Sequence, residues 1–308
     1  MLSSNLVLLI LLACSLLGHL LPSITSGKEK AGPISPSPPL CPPCKAHSEV
    51  LKDKMILPPW MRSKQGAPTF LEVAQSLGSG VTDKVSHHHY EVIYERYLGP
   101  YRNAGEPFNF LEIGIGCGTP TGVGRGYQLY TAYAPMMRYS GIELHQSCTK
   151  RIRGSQGYHL NESEKSYLLS HVQWGDQSSL DVMKNAVRRF GVYDFIVDDG
   201  SHYSIHQIAS FEYLFLHGLR PGGAYIIEDL HTSFLGMFKV SDSDQRNGQT
   251  MVEYIRSLIL DLHYPGKVGK YFNVVPHVHH AEIMKWIRTV DCDRRVCALT
   301  KRLQPVGD

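Results

Sequence analysis

The sequence predicts an α/β fold built on a doubly wound, Rossmann-like sheet that is mostly parallel and ends in an antiparallel C-terminal strand. Apolar runs such as 108–115 and 193–197 alternate with segments of helical periodicity such as 179–190. Continuous apolar strands are typical of a parallel sheet that is covered by helices on both faces. The runs 287–292 and 296–301 are joined by a turn too short for a crossover, so we expect this pair to be antiparallel.

The remaining elements follow from periodicity and from turn residues. The helix at 179–190 is predicted because Leu180, Met183, Val187 and Phe190 recur at helical spacing. A helix at 204–219 is expected to stop at the turn-forming sequence 220–223, Arg-Pro-Gly-Gly. The other predicted strands are 139–144, 172–174 and 224–227. One further helix is predicted to begin after the turn that follows the first strand and to end at 133, and two others span 164–171 and 251–262.

Composition limits the classes of protein that the chain can represent. Of the 308 residues, 43% are hydrophobic and 19% are charged, which is ordinary for a protein that buries a core. The net charge is +3 without a long basic run, so nucleic acid is not expected as a partner. The expected organisation is a signal peptide or signal anchor at 1–27, a Pro-rich linker at 28–66, one folded domain at 67–303 and a tail at 304–308.

The N-terminus predicts entry into the secretory pathway. Residues 6–21 are almost entirely aliphatic, and no charged side chain precedes Lys28. This run is short for a membrane span, which needs about 20 apolar residues. It suits the apolar core of a cleaved signal peptide, with an uncleaved signal anchor and a buried helix as alternatives. We therefore expect the protein to be secreted or to reside in the lumen of the ER or Golgi.

The cysteines agree with an oxidising compartment. Six of them lie beyond the N-terminal segment, an even number that is compatible with disulfides. Cys292 and Cys297 flank a short polar turn and could bridge a hairpin. Cys41 and Cys44 have the spacing of a redox motif, but they lie in the proline-rich stretch, which favours a bridge within the linker. Asn161 begins an Asn-Glu-Ser sequon and could carry a glycan.

A glycine-rich turn follows the first predicted strand. Gly114, Gly116 and Gly118 alternate with other residues, and glycines of this kind let the backbone pass close to a ligand. Their spacing differs from the Gly-x-Gly-x-x-Gly of dinucleotide-binding folds. Glu112 precedes the turn, where an acid is typical of methyltransferases and lies near the methionine portion of S-adenosylmethionine. The pattern disfavours an NAD(P)-dependent enzyme.

Acids also follow the next two strands. Ligands of such sheets bind beyond the carboxyl ends of the strands. Glu143 ends the second strand, where a carboxylate can accept hydrogen bonds from both ribose hydroxyls of a nucleoside. Asp176 ends the third strand, where it can accept from the amino group of adenine. The alternative for each acid is an ordinary helix cap.

Four carboxylates follow the fourth and fifth strands. Asp198 and Asp199 end one strand, and Glu228 and Asp229 end the other. Like charges so close together require a compensating cation, and hard oxygen ligands suit Mg²⁺. His202 lies three residues after Asp199 and could face the same cavity as a base. The alternative is that Asp198 and Ser201 cap the next helix while the other acids are solvated.

Taken together, these motifs resemble the metal-dependent O-methyltransferases of macrolide sugars, of macrocin and mycinamicin type, and the related cephalosporin hydroxylase/rhamnosyl methyltransferase group. The resemblance covers residues 83–301. It implies a class I methyltransferase that uses S-adenosylmethionine and a divalent metal. Carried over by position, the metal ligands are Asp199, Glu228 and Asp229, and His202 is the base. The motifs that carry the resemblance are Thr-Asp-Lys at 82–84, His-His-Tyr at 88–90, Tyr-Glu-Arg at 94–96, Leu-Glu-Ile-Gly-Ile-Gly at 111–116, Asp-Asp-Gly-Ser-His at 198–202, Leu-Arg-Pro-Gly-Gly at 219–223, and Ile-Glu-Asp at 227–229 with Thr-Ser at 232–233.

The resemblance places the stretch 83–96 over the cofactor end of the sheet. Lys84 and His89 are therefore named as cofactor-binding residues, together with Asp198. The histidine run at 87–89 could instead form a zinc site or a solvated helix face.

The expected function is Mg²⁺-assisted O-methylation of a hydroxyl on a sugar, a glycan or another small molecule. An NAD(P)-dependent oxidoreductase and a catalytically inactive lumenal binding protein are the alternatives. The sequence is also compatible with a membrane anchor at the N-terminus and with an oligomeric protein.

Overall fold

The computed structural model describes residues 66–78, 82–119, 122–154, 159–238, 249–263 and 280–306. The predicted signal segment, nearly all of the predicted linker and the Cys41/Cys44 pair lie outside these ranges. Among the described residues, no helix is both long enough and apolar enough to cross a membrane.

In the described ranges, seven strands form one sheet in the order β3-β2-β1-β4-β5-β7-β6. Strands β1 to β5 are parallel, while β7 runs antiparallel to both β5 and β6. This confirms the predicted fold class. The strands are β1 Phe108–Ile113, β2 Met137–Glu143, β3 Val172–Trp174, β4 Tyr193–Asp198, β5 Leu219–Ile227, β6 Ile287–Asp293 and β7 Val296–Lys301.

Helices connect the strands and precede the sheet. A capping box at Thr69 begins the first helix. The helices are α1 Phe70–Ser76, α2 Asp83–Ser86, α3 Glu91–Tyr97, α4 Gly99–Ala104, α5 Arg125–Tyr133, α6 Cys148–Arg153, α7 Glu162–Ser170, α8 Leu180–Phe190, α9 Ser204–Tyr213 with a π turn Leu214–Gly218, two 3₁₀ turns Leu230–Phe234 and Gly236–Phe238, α10 Met251–His263 and α11 Ala281–Met284.

Each face of the sheet covers a separate apolar cluster. Phe110 and Phe195 stack on one face with their ring centroids 5.5 Å apart. Ile196 and Tyr225 belong to the cluster on the other face. Because both faces of β1 and β4 are buried, these strands read as nearly continuous apolar runs, as expected for a parallel sheet.

The prediction for residues 219–223 was wrong in part. A turn was expected to separate the helix from a strand beginning at Ala224, but β5 already begins at Leu219, which pairs with Tyr193. The register between β4 and β5 then shifts, and Gly222 takes a φ of 86°. The Pro-Gly-Gly sequence therefore forms an irregularity within the strand, because pairing at Leu219 continues the strand past the turn residues.

Two disulfides join described residues. Cys292 and Cys297 bridge the β6–β7 hairpin with a Cα–Cα distance of 4.1 Å, as their spacing suggested. Cys117 and Cys148 form the other, with their Cα atoms 5.8 Å apart, and join the loop after β1 to helix α6 after β2.

The strand order places a crevice at the edge of the sheet. The chain runs outward from β1 through β2 to β3, then returns to the other side of β1 at β4. Such a reversal separates the loops after neighbouring strands, and ligands bind in the crevice that results. The carboxyl ends of β1 and β4 are therefore the expected position of a functional site.

Candidate active site

A cavity of about 410 Å³ opens at the carboxyl ends of the parallel strands. It brings most of the predicted site residues together in one crevice. Predicted residues in its lining are Lys84, Glu112, Gly114, Gly116, Gly118, Glu143, Asp176, Asp199, His202 and Asp229.

The glycine-rich loop forms the floor of the crevice beside β1. Gly114 has a φ of 84°, and a Cβ at this position would overlap the carbonyl oxygen of Asp199. The loop therefore approaches the turn after β4 so closely that only glycine fits there. Gly116 also has a positive φ, of 78°. Gly114, Gly116 and Gly118 all line the cavity.

Glu112 lies beneath this loop and is 2% exposed. Its Oε2 accepts a hydrogen bond from the hydroxyl of Tyr139, and a Cβ on Gly126 would overlap its Oε1. Burial raises the pKa of this carboxyl to about 8, even though the ammonium of Lys84 and the Tyr139 hydroxyl oppose the shift. The side chain is therefore protonated at neutral pH in the ligand-free protein.

Glu143 ends β2 with its carboxylate facing the glycine loop. Its Oε2 accepts from the backbone N–H of Ile115 at 3.3 Å, and its Oε1 accepts from that of His145 at 3.3 Å. Each oxygen keeps lone-pair capacity for further donors. The side chain is held in place and can still accept from ligand hydroxyls.

Asp176 follows β3, lines the cavity and is also part of a local turn. Its Oδ1 accepts from the backbone N–H and the hydroxyl of Ser178, each at 2.8 Å, which is the pattern of a local turn. Burial would raise its pKa, but these two hydrogen bonds lower it below the usual value. Asp176 therefore lines the cavity as an anion.

Asp198 is placed behind the cavity instead of in its lining. It is fully buried, and its oxygens accept from Gln177 Nε2, Ser210 Oγ and Tyr225 OH. Burial raises its pKa. The predicted contact with a cofactor is not what the structure shows, because strand alternation turns this side chain toward helix α9.

Asp199, His202 and Asp229 face one another at the mouth of the crevice. One ligand atom from each lies within 4.8 Å of the other two. His202 Nε2 is 4.0 Å from Asp199 Oδ1 and 3.6 Å from Asp229 Oδ2. His202 and Asp229 have positive φ values of 60° and 54°. Such conformations are uncommon outside glycine and often occur at functional sites.

Asp229 is held by Tyr90. The Tyr90 hydroxyl donates to Asp229 Oδ1 at 2.7 Å and accepts from the Asp229 N–H at 3.2 Å. Burial would raise the pKa of Asp229, but this hydrogen bond and the nearby His202 lower it below the usual value. His88 Nδ1 is also 3.7 Å from Asp229 Oδ1. Neither His88 nor Tyr90 was assigned an individual role in the sequence analysis, although both lie in the motif at 88–90.

Glu228, which was predicted as a metal ligand, is not part of the cavity lining. It is 1% exposed, its Oε2 contacts the ammonium of Lys84, and its Oε1 accepts from the hydroxyl of Tyr94. Lys84 also donates to Asp199 Oδ2 at 2.6 Å. Burial would lower the pKa of Lys84, but the two carboxylates raise it well above the usual value. Lys84 is therefore a buried cation between Asp199 and Glu228.

His89 does not line the cavity. Its side chain is 59% exposed, and its Nδ1 lies 3.8 Å from Glu91 Oε1. His89 also has a positive φ, of 61°. The structure thus gives no support to a cofactor contact at this position.

The disulfide between Cys117 and Cys148 joins the glycine loop to the start of α6, and sequence reasoning did not find this pairing. Cys117 lines the cavity, while Cys148 is fully buried at the start of α6. The guanidinium of Arg151, also in α6, donates to the carbonyl of Cys117. The glycine loop is therefore tied to the helix that follows Glu143.

The sheet order, the glycine loop and the acids at successive strand ends define the class I S-adenosylmethionine-dependent methyltransferase fold. Among solved structures, the chain superposes on the methyltransferase MycE of the mycinamycin pathway, in complex with Mg and SAH, with a TM-score of 0.56. The match is 24% identical and covers 76% of this chain and 55% of MycE. At that identity the match establishes the fold.

The sequence is similar to O-methyltransferases that modify macrolides. It is 29% identical over 199 residues to the mycinamicin VI 2''-O-methyltransferase of Micromonospora griseorubida, which is 61% of this chain and 45% of that protein. It is 30% identical over 197 residues to the demethylmacrocin O-methyltransferase of Streptomyces fradiae, with the same coverage. The chain thus spans less than half the length of these relatives, and no family model matches it. The resemblance drawn from the motifs is confirmed.

Proposed function

We propose that the protein is an S-adenosylmethionine-dependent O-methyltransferase that acts on a sugar or glycan hydroxyl with the help of a divalent cation. One observation carries this proposal. A single crevice joins the glycine loop and Glu143 to the group formed by Asp199, His202 and Asp229. A donor held at one end and an acceptor held at the other would meet within it.

The residues at the β1–β3 end fit S-adenosylmethionine, which would supply the methyl group as an electrophilic sulfonium. Glu143 would accept from the ribose hydroxyls and Asp176 from the adenine amino group. Glu112 lies under the loop, where its carboxyl would lie near the methionine portion. The glycines of the loop line the cavity, where their backbone could approach the ligand closely. These side chains would align the donor for in-line transfer, which depends on near-attack geometry.

The residues at the β4–β5 end fit a hard cation such as Mg²⁺, which would lower the pKa of an acceptor hydroxyl bound to it. Asp199 Oδ1 and Asp229 Oδ2 supply the oxygen ligands that Mg²⁺ prefers. The anionic state of Asp229, kept by the hydrogen bond from Tyr90, suits this role. Both carboxylates lie at a cavity wall, so open positions remain for the acceptor.

His202 is the proposed base. Its Nε2 points toward the two carboxylates, so an acceptor hydroxyl placed between them would lie within reach of this nitrogen. The acceptor oxygen would form the new bond to the methyl carbon while the carbon–sulfur bond breaks. The proton of the hydroxyl would pass to Nε2 of His202. His202 lines the cavity and has a positive φ.

The acceptor class rests on the relatives. The names of the two relatives described above specify O-methylation of mycinamicin VI and of demethylmacrocin. A sugar carries neighbouring hydroxyls, and such a pair can approach a cation together. Nothing in the comparisons favours an oxidoreductase or an inactive binding protein.

We also propose that the enzyme works in the secretory pathway. The two disulfides between described residues are typical of an oxidising compartment. Asn161 is exposed at the start of α7, where a glycan would project into solvent. A lumenal enzyme would require S-adenosylmethionine to be imported, since this cofactor is made in the cytosol.

The test is an acceptor screen with methyl-labelled S-adenosylmethionine on sugars and glycans, with and without Mg²⁺. We expect transfer that chelator abolishes. Asp199→Asn should lose turnover while its binding of S-adenosylhomocysteine stays close to that of the unaltered chain. Full activity in this variant, or in chelator, would rule out the role of the cation.

A further inference from the structure

The turn that carries the proposed base has a backbone conformation that its surroundings must hold. This turn spans residues 199–203, between the end of β4 and the start of α9. His202 has a φ of 60°, in a region that residues other than glycine seldom occupy. Such a conformation persists only where neighbouring groups fix it. The contacts made by this turn therefore decide where the ring of His202 lies.

A buried amide from the loop after β3 lies against this turn. Gln177 is 6% exposed, and its Oε1 accepts from the backbone N–H of Ser201 at 2.7 Å. A Cβ on Gly200 would overlap the same oxygen, so the backbone of the turn packs directly on the amide. The contact crosses the carboxyl edge of the sheet, because β2 and β1 lie between β3 and β4. It reaches the turn one residue before His202.

The other end of the amide is held by Asp198, behind the cavity. Gln177 Nε2 donates to the two oxygens of this carboxylate at 3.1 and 3.2 Å. Asp198 is fully buried and also accepts from the hydroxyl of Ser210 at 2.7 Å. The orientation of the amide follows from these partners, because a backbone N–H needs an acceptor and a carboxylate needs a donor. Asp198 thus sets the direction in which Gln177 presents its oxygen to the turn.

Two further contacts attach the turn to the strands beside it. The backbone N–H of Asp199 donates to the carbonyl of Ile113 at 3.0 Å. The hydroxyl of Thr232 donates to the carbonyl of His202 at 3.2 Å. Both contacts are independent of the amide of Gln177. Its removal should therefore loosen the middle of the turn while the fold and the flanking contacts remain.

We infer that Gln177 is a positioning residue for methyl transfer, which holds the turn so that His202 faces the acceptor. The inference rests on the proposed function, because it concerns the base of that reaction. Gln177 acts through the backbone of Ser201 and takes no part in the transfer itself. It also lines the cavity beside Asp176, so a direct contact with the cofactor is the alternative that the experiments must separate.

The first experiment measures amide hydrogen exchange by mass spectrometry on the full chain without ligand. Gln177→Met removes both polar ends of the side chain at similar length. We expect exchange at 199–203 to become about tenfold faster or more, because the Ser201 N–H loses its acceptor. Exchange at 108–113, in β1, should stay unchanged, which separates local loosening from general unfolding. Unchanged exchange at 199–203 would overturn the inference.

The matched control is Gln173→Met, which makes the same substitution within β3. The amide of Gln173 donates to the carbonyl of Trp174 at 3.2 Å and makes no recorded contact with the turn. Exchange at 199–203 should therefore match that of the unaltered chain. Acceleration there as large as in Gln177→Met would show that any loss from this strand loosens the turn, and would overturn the inference.

The second experiment separates kcat from KM in methyl transfer. Gln177→Met should lower kcat about tenfold, while KM for S-adenosylmethionine stays within about twofold of the unaltered value. This split is expected because the base is displaced and the cofactor contacts are kept. A rise in KM with kcat unchanged would place Gln177 on the cofactor and overturn the inference.

A paired substitution tests the direction of the hydrogen bonds. Gln177→Glu alone sets a second carboxylate against Asp198 and should also lower kcat about tenfold. Adding Asp198→Asn supplies an amide donor to the new carboxylate, which still accepts from the Ser201 N–H. The double variant Gln177→Glu/Asp198→Asn should recover kcat to within about threefold of the unaltered chain. Absence of recovery would overturn the inference.

The two experiments separate this inference from the proposed function. If the unaltered chain transfers no methyl group to any acceptor, the proposed function fails, and the role of Gln177 in transfer fails with it. If the unaltered chain is active and Gln177→Met keeps both its exchange at 199–203 and its kcat, the proposed function stands and this inference fails.

Discussion

The protonated state of Glu112 makes the stability of the fold depend on pH. The ordinary pKa of 4.5 is raised to about 8 by burial. The folded state therefore holds a proton that the unfolded chain releases between these values. The contribution of this proton to the free energy of unfolding is fully present below pH 4.5 and is lost as the pH rises toward 8. At about 1.4 kcal/mol for each pH unit, the loss reaches about 3 kcal/mol at neutral pH.

The variant Glu112→Gln removes this dependence, because an amide of the same shape carries no proton to lose. We compare the free energy of unfolding of this variant with that of the unaltered chain at each pH. From about pH 5 to pH 8, we expect the difference between them to shift by about 3 kcal/mol in favour of the variant. Urea unfolding at both pH values measures this difference. The change should appear in the midpoint while the slope stays constant.

The control is Glu253→Gln, which alters a carboxyl on α10 whose pKa is lowered by hydrogen bonds from Thr250. Its effect on the free energy of unfolding should be the same at both pH values. If the difference between Glu112→Gln and the unaltered chain is also the same at both, the carboxyl is ionised throughout. The argument from burial would then be refuted.

Three further predictions concern the crevice. Gly114→Ala should destabilise the fold by about 2 kcal/mol or more, because its Cβ would overlap the Asp199 carbonyl at a left-handed φ, and thermal unfolding measures this. Glu143→Gln should weaken S-adenosylhomocysteine binding about tenfold or more by calorimetry, through weaker hydrogen bonds to the ribose. Removing the Cys117–Cys148 bridge by serine substitution should raise KM for S-adenosylmethionine with little change in kcat, since the glycine loop loses its tether.

Matched controls exist for two of these predictions. Gly118→Ala adds a Cβ to the same loop with nothing within 4 Å, so it should be tolerated where Gly114→Ala is not. Equal losses in both variants would refute the argument from close approach. Serine substitution of Cys292 and Cys297 removes the hairpin bridge and should leave KM unchanged. A rise in KM of the same size there would mean that the effect is general destabilisation.

Much of the crevice could be predicted because strand direction alone decides which loops meet. Once β1 and β4 are parallel neighbours, the residues that follow them share one edge of the sheet. Gly114, Glu143 and Asp199 were expected there on that ground, and all three line the cavity. The same reasoning applies to Asp198. Successive residues of a strand point to opposite faces, so if Asp199 faces the cavity, Asp198 is expected to face away from it.

The contacts that sequence reasoning missed join segments far apart in the chain. The pairing of Lys84 with Glu228 depends on how α2 lies over the sheet, and no periodicity in either segment encodes that placement. The same holds for Cys117 and Cys148, because an even number of cysteines leaves many pairings open. The local bridge between Cys292 and Cys297 could be foreseen because the hairpin turn itself brings them together.

The central claim is that the crevice between the glycine loop and the strand-end acids binds a sulfonium methyl donor. Calorimetric titration of the full chain with S-adenosylhomocysteine tests it most directly. We expect saturable binding at one site, weakened in Glu143→Gln, and no binding of NADH. Absence of heat with S-adenosylhomocysteine, or saturable binding of NADH in its place, would contradict it.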